Sequence, residues 1–261
     1  MLMIIIEILL ISLLLFNIAR IIKRYRALSS MPYLDPLDRF AQSLPKAFGK
    51  GKFLSIIMFE VKIIYYSLIT LFSIPTNIST STSFSYDKTS QFKTISIVLG
   101  IIVIAESILL QIIIDAFIIN RYSNQWLQAI PWLVHLLNIY VILFIIGQYR
   151  AMRAVPHHIT QESLVVNNGI LGSASIPFIF ITAINKAKEI GIGEKVDPMT
   201  FYAHNSVDSP HYELILSKPI LYEGAYGKKR YVNKVVLRVD DQASFITRLN
   251  DVLSINVNKV N

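Results

Sequence analysis

Apolar residues gather in four long runs, each about the 20 residues that a helix needs to cross a bilayer. The runs are residues 2–22, 53–74, 94–119 and 128–147. In the third, Ile, Leu and Val surround the helix on every side. A helix lying on a soluble core shows a one-sided stripe instead. The second run is the least regular, because Glu60 and Lys62 fall inside it. The first has no basic start and no small-residue cleavage site, and Arg20-Ile21-Ile22-Lys23-Arg24 closes it. It is expected to stay in place as an uncleaved span.

Residues 23–52 form a polar loop with one periodic segment. Asp35 is placed to cap a helix and Pro36 suits its first position. Leu37, Phe40, Ala41 and Leu44 then recur at i, i+3, i+4 and i+7. The spacing predicts a short amphipathic helix near 36–44 at the membrane interface; a plain connecting loop is the alternative. Residues 75–93 read as a Ser/Thr-rich link and 120–127 as a short one.

Near Arg150–Pro156 the period changes. Leu164-Val165-Val166 runs into Asn167-Asn168-Gly169, a hairpin signal. Ile176 to Ile184, Phe201 to Ala203, Tyr212 to Leu216 and Ile220 to Tyr222 are strand-like, the last two flanking Lys218-Pro219. Tyr231 to Val239 alternates as a half-buried antiparallel strand does. After Asp240-Asp241, Phe245, Leu249, Val252 and Leu253 recur at helical spacing. The expected fold is an α-helical transmembrane bundle of about four spans, residues 1–153, followed by a small α+β domain, residues 154–261. In that domain an antiparallel sheet is capped by a C-terminal helix.

Composition sharpens this division. The chain is 53% hydrophobic and 16% charged, where soluble domains carry about 25% charged residues. Its formal charge is +8, with 14 Lys/Arg against 7 Asp/Glu in residues 1–153 and 11 against 10 thereafter. A basic excess confined to the membrane half points to the anionic surface of the lipid bilayer as its partner, and away from nucleic acid. There is no Cys, which excludes disulfides, thiolate catalysis and Cys-ligated metal centres. Eight Lys/Arg residues between Arg20 and Lys52 place the first loop in the cytoplasm. Four spans then put the C-terminal domain outside. Three spans, with 53–74 only dipping into the membrane, put it inside together with Arg150 and Arg153.

Ionisable groups at membrane depth are costly and take a partner or a function. A rise of about 1.5 Å per residue puts Lys62 and Glu106 near the centres of their spans, and Glu60 and His135 at a common level nearer the cytoplasm. Two interhelical pairs are expected, Lys62–Glu106 and Glu60–His135. Ser107, Gln111 and Asp115 add a polar stripe to the third span, and Asn138 follows His135 at i+3. These groups serve either as a proton or ion path or as plain helix–helix glue. No internal repeat of the transporter kind accompanies them.

Catalytic motifs are missing: there is no Gly-rich phosphate loop, nucleophile elbow or His-Glu-x-x-His. His157-His158 and the pair His204 and His211 are weighed as metal ligands against solvated histidines. Adjacent strand residues point to opposite faces, so His157 and His158 do not readily share one ion. No metal, no cofactor and no catalytic residue is assigned. Asp197, Asp208, Asp240 and Asp241 read as turn and cap residues. Gly224-Ala225-Tyr226-Gly227-Lys228-Lys229-Arg230 reads as a tight turn with a basic tip. There Lys228, Lys229 and Arg230 are candidate contacts for acidic headgroups or a carboxylate-rich partner, set against a solvated loop.

The C-terminal part resembles the bacterial pleckstrin-homology-like modules that are attached to transmembrane segments. The resemblance rests on His158-Ile159, Glu162, Leu164, Asn168-Gly169-Ile170, Ile181, Ile184 and the close from Val235 to Leu249. The whole chain is similar to a group of multi-span membrane proteins of low-GC Gram-positive bacteria. That likeness is carried by Leu34-Asp35-Pro36-Leu37-Asp38-Arg39-Phe40, Gly49-Lys50-Gly51-Lys52-Phe53-Leu54, Glu60, Tyr65-Tyr66, Glu106 and Tyr140-Val141-Ile142-Leu143-Phe144. Some members of the group carry the label β-carotene 15,15′-monooxygenase. Non-haem iron needs several convergent His ligands, and His135 is the one His inside an expected span, so the residues here do not support that chemistry. Gln111 also stands near where the family pattern has a His. The resemblance implies a multi-pass protein of the cell membrane, non-enzymatic, whose pleckstrin-homology-like domain docks on the membrane surface, an envelope component or a protein partner. The alternative is a small transporter or proton-coupled permease using the intramembrane Glu, Lys and His residues. A membrane enzyme ranks behind both, since no polar cluster assembles at one interface.

Overall fold

The computed structural model describes residues 19–27, 36–43, 52–68, 82–114, 130–189 and 196–257, with residues 16, 116 and 194. The first expected span, 2–22, lies mostly outside the described residues, as does Asp115. Residues 19–27 are helical. Among the described residues five further α-helices follow: α1 Pro36–Ser43, α2 Lys52–Leu68, α3 Phe92–Ile114, α4 Ile130–Ala154 and α5 Gln242–Val257. Helix α1 forms where the i, i+3, i+4 spacing predicted it.

Helices α3 and α4 are the two among the described residues that are long and apolar enough to cross a membrane. Only 6% and 11% of their most apolar windows is buried, so their Ile and Leu side chains face outward over most of their length, an arrangement that suits a membrane surround. The expected span 53–74 appears as α2, a helix of 17 residues ending at Leu68, and residues 69–74 lie outside the described set. It packs along α4 with the two chains parallel, Glu60 level with Tyr140 and Ile63 against Gly147. Glycine suits this close approach: a Cβ at position 147 would sit 3.1 Å from the Ile63 carbonyl oxygen, a tight contact eased only if the helices shift by a few tenths of an ångström. Helix α3 packs antiparallel on another side of α4, from Ser107 beside His135 to Lys93 near Tyr149.

Among the described residues eight strands form one sheet: β1 Ser83–Phe84, β2 His157–Ile159, β3 Ser163–Asn167, β4 Gly172–Pro177, β5 Ile181–Lys186, β6 Thr200–Ala203, β7 Tyr212–Gly224 and β8 Lys229–Leu237. The order is β1-β2-β3-β4-β7-β8-β6, with β5 also paired to β7. All pairings are antiparallel except β6 with β8. The strand expected through Ile176–Ile184 is broken by a short 3-10 turn, Phe178–Phe180. Either side of it, β4 and β5 follow the same edge of β7 in succession. Strand β7 passes through Lys218-Pro219 without ending, because a register shift between Ile215 and Ile220 absorbs the proline, which has no N–H to give.

Leu164, Val166, Ile176, Leu214, Val232, Val235 and Leu237 fill the core under α5, which adds Phe245 and Leu249. Asp241 caps that helix as its sequence position predicts, accepting the Ser244 N–H at 3.0 Å. The sheet is not confined to residues after 154. Its first strand comes from the link before α3, where Phe84 lies opposite His157 and Ser83 opposite His158.

Candidate membrane-surface site

The segment that enters α3 is tied to the sheet by three side chains from far along the chain. The Asp240 carboxylate accepts the backbone N–H groups of Lys88 at 3.0 Å and Thr89 at 2.9 Å, and the Thr89 hydroxyl at 2.6 Å. Asp208 accepts the Ser90 hydroxyl at 2.6 Å and the Gln91 N–H at 2.8 Å. Gln91 directly precedes α3, so Asp208 also meets the positive end of that helix. The buried Arg238 guanidinium donates to the carbonyls of Ser209 and Thr89 and to the Thr89 hydroxyl. Arg153, in the last turn of α4, pairs with Asp87 at 3.6 Å.

The charges in this clamp are tuned by their neighbours. Burial alone would push the Asp240 carboxyl up, but hydrogen bonds from Thr89 and Lys88 outweigh it and hold it below the usual carboxylate range. Burial and the nearby Asp240 charge push Asp87 up, against the pull of Arg153. Asp240→Ala removes a charged acceptor from three donors and is expected to cost about 2 kcal/mol. Hydrogen exchange should then quicken first at residues 83–91; unchanged exchange there would show that the clamp does not hold the segment.

Helix α4 is tied to the sheet at its other face. Gln148 is buried, accepts the Ile170 N–H at 2.9 Å and donates to the Asn168 side chain at 3.3 Å. Asn168 in turn donates to the carbonyls of Tyr202 and His204. His157 stacks on Tyr86 with ring centroids 4.4 Å apart. One ring nitrogen accepts the Asn167 N–H at 3.1 Å and the other donates to the Arg238 carbonyl at 2.9 Å. Both nitrogens are thus used within the fold. Burial, first of all, lowers the affinity of His158, His204 and His211 for a proton as well.

The basic tip divides. Arg230 turns back, donating to the Pro198 and Thr200 carbonyls and lying over the Tyr222 ring. Lys229 pairs with Glu223 at 2.8 Å. Lys228 is exposed. Tyr226 packs on Phe59 of α2, centroids 4.2 Å apart, and its hydroxyl lies 3.4 Å from that of Tyr140.

Among the intramembrane candidates, Glu60 accepts the Tyr140 hydroxyl at 3.1 Å. His135 bonds Ser107 and Gln111 of α3, each at 3.0 Å. Two residues of the predicted polar stripe therefore meet His135, across an apolar helix pair. Glu106 is on the exposed face of α3, and Lys62 is half-buried on α2. Helices α3 and α4 run unbroken over these residues, and a shallow groove of about 280 Å³ opens between them beside His135 and Asn138.

Sequence reasoning missed the long reach of Asp208, Asp240 and Arg238. The one signal was the set of turn aspartates, Asp208 and Asp240 among them, around a sheet that follows a long apolar helix. No family model, curated protein or solved structure matches this chain.

Proposed function

We propose that the chain is a non-enzymatic, multi-pass protein of the cell membrane, with four spans and a pleckstrin-homology-like domain held in fixed attitude at the bilayer. The domain docks on the membrane surface, an envelope component or a protein partner. One observation carries this reading: the sheet domain grips the entry of α3 through Asp208 and Asp240 and the exit of α4 through Gln148, while Arg153 at that exit pairs with Asp87 in the α3 entry segment. A domain on a loose linker has no use for such a double attachment. A small sheet closed by one C-terminal helix is consistent with the pleckstrin-homology likeness, and the outward apolar surfaces of α3 and α4 are consistent with a lipid surround. The self-contained bonding of His135 favours a role as helix glue.

The lack of Cys makes a clean test simple. Single cysteines in place of Lys88 and Ser217 should react with a membrane-impermeant maleimide from the same side of intact cells. A cysteine in place of Lys46 should react from the opposite side. Labelling of positions 88 and 217 from different sides would overturn the helical hairpin and the fixed domain together; positions 46 and 217 on one side would reduce the spans to three.

A further inference from the structure

Helices α2, α4 and α3 form a flat layer. Helix α2 meets α4 at Tyr140 and Gly147, and α3 meets it at His135 and Tyr149, about half a turn away around α4. The layer therefore has two broad faces. Consecutive residues step about 100° around a helix, which sorts them between these faces. On α4, Ile146 lines the groove beside α3, Gly147 meets α2 and Gln148 turns to the sheet. On α3, Ile108 lines the groove, Ser107 meets α4 and Glu106 falls on the side away from it. Glu106 and the sheet thus share the face opposite the groove. The β7–β8 turn reaches from the sheet along the helices, with Gly227 against Ser55 and Tyr226 against Phe59 and Tyr140. Gly227 has φ +69° and closes on Ser55 where no Cβ would fit, so this approach is built into the turn.

Depth adds a second match. Ser107 bonds His135, so Glu106 lies at the level of His135, near the middle of the apolar run 128–147. Glu60 is level with Tyr140, and Ser55, five residues earlier on a helix parallel to α4, is level with His135 as well. Lys228 follows the glycine that closes on Ser55. One face thus carries an exposed Lys and an exposed Glu at one depth. Neither has an ion-pair partner among the described residues. The turn satisfies its own backbone, the Gly224 N–H reaching the Lys228 carbonyl and the Lys228 N–H that of Ala225. What lipid would not accept there is the charge, since an ionisable group at mid-membrane depth takes a partner. Leu99, Ile102, Leu109 and Ile113 surround Glu106 at helical spacing and are exposed, an apolar surface for close packing between helices. A second copy, turned about a two-fold axis along the membrane normal, presents the same two charges at the same depth in exchanged positions. We propose that this face is a homodimer interface within the bilayer, Lys228 of each copy pairing with Glu106 of the other. This rests on the reading that α3 and α4 span the membrane.

The test uses the full chain in phospholipid vesicles. Chains with Ser217→Cys carry one fluorophore each, and bleaching steps count the copies per particle as the protein is diluted in lipid. Two steps should dominate at high protein content. Glu106→Lys or Lys228→Glu alone should weaken dimerisation by about tenfold or more, because like charges then face each other. The double reversal, Glu106→Lys with Lys228→Glu, should restore it, which a merely misfolded variant would not do. In vesicles holding two differently tagged chains, one Lys228→Cys and the other Glu106→Cys, a short bis-maleimide should join the two tags. Single steps at every dilution, or a double reversal no better than either single one, would overturn the dimer. Both results would leave the topology labelling at positions 88 and 217 untouched, so failure of the dimer and failure of the spanning hairpin are distinguishable.

Discussion

Phe245→Ala is expected to lower the stability of the sheet domain by about 3–5 kcal/mol, the cost of truncating a fully enclosed phenylalanine. The ring is 0% exposed and meets Phe84 edge-on at 5.2 Å and Tyr212 at 5.7 Å. Phe84 belongs to β1, before α3; Tyr212 begins β7; Phe245 lies on α5. Three distant parts of the chain thus close on one side chain. A cavity there does not close by moving α5 alone, since Phe84 of β1 and Tyr212 of β7 line it from two other parts of the chain. It cannot collapse by moving β1 alone, since Asp240 holds the residues just after it. Exchange of the β7 and β8 amides should speed up by at least a hundredfold, at 1.4 kcal/mol per tenfold. Amides of α3 and α4 should not follow. A loss under about 1 kcal/mol would mean that α5 is not the closure of this core.

The residues that were legible in the sequence are those whose structure is local. The run Thr94–Ile119 carries apolar residues on every side, and α3 covers it from Thr94 to Ile114. Asp241 four positions before Phe245 specifies a cap and the first buried turn of α5. What was not legible depends on partners far away. Ser83 and Phe84 sit in a polar link with no strand period, and they become a strand because β2 offers them an edge. Asp208 and Asp240 look like any turn aspartate until the segment before α3 is brought to them. The stripe of Ser107 and Gln111 was readable as a stripe, but its partner was not: depth along a helix does not fix which face turns to which neighbour. Glu60 and His135 share a level by residue count, yet each bonds elsewhere, to Tyr140 and to α3. Val235, Val236 and Leu237 are all buried, so the alternation that marked β8 fails where the strand has neighbours on both faces.

Acidification is expected to loosen the same assembly through His157. Its neutral form is required: one nitrogen must accept the Asn167 N–H while the other donates to Arg238. Burial, above all, lowers its pKa from 6.5 to about 4, with the Arg238 carbonyl opposing. A folded pKa below the unfolded one means that unfolding takes up a proton between the two values. The stabilisation is therefore complete above about pH 6.5 and is lost progressively as the pH falls to about 4, amounting to about 3 kcal/mol for this fully enclosed ring. His158, His204 and His211 shift in the same direction and add to the loss, whereas Asp240 contributes only below the ordinary carboxylate range. Equilibrium unfolding of the detergent-solubilised chain in denaturant, followed by its strand signal at pH 7 and pH 4.5, measures the effect. His157→Gln should start less stable, because it cannot keep both bonds and the stack on Tyr86. Its stability should nonetheless fall less between the two pH values than that of the unaltered chain. Equal falls in both proteins would remove His157 from the account. Because the Arg238 carbonyl bonds His157 and its guanidinium bonds Thr89, a proton taken up at this ring acts on the strand end that holds the entry of α3.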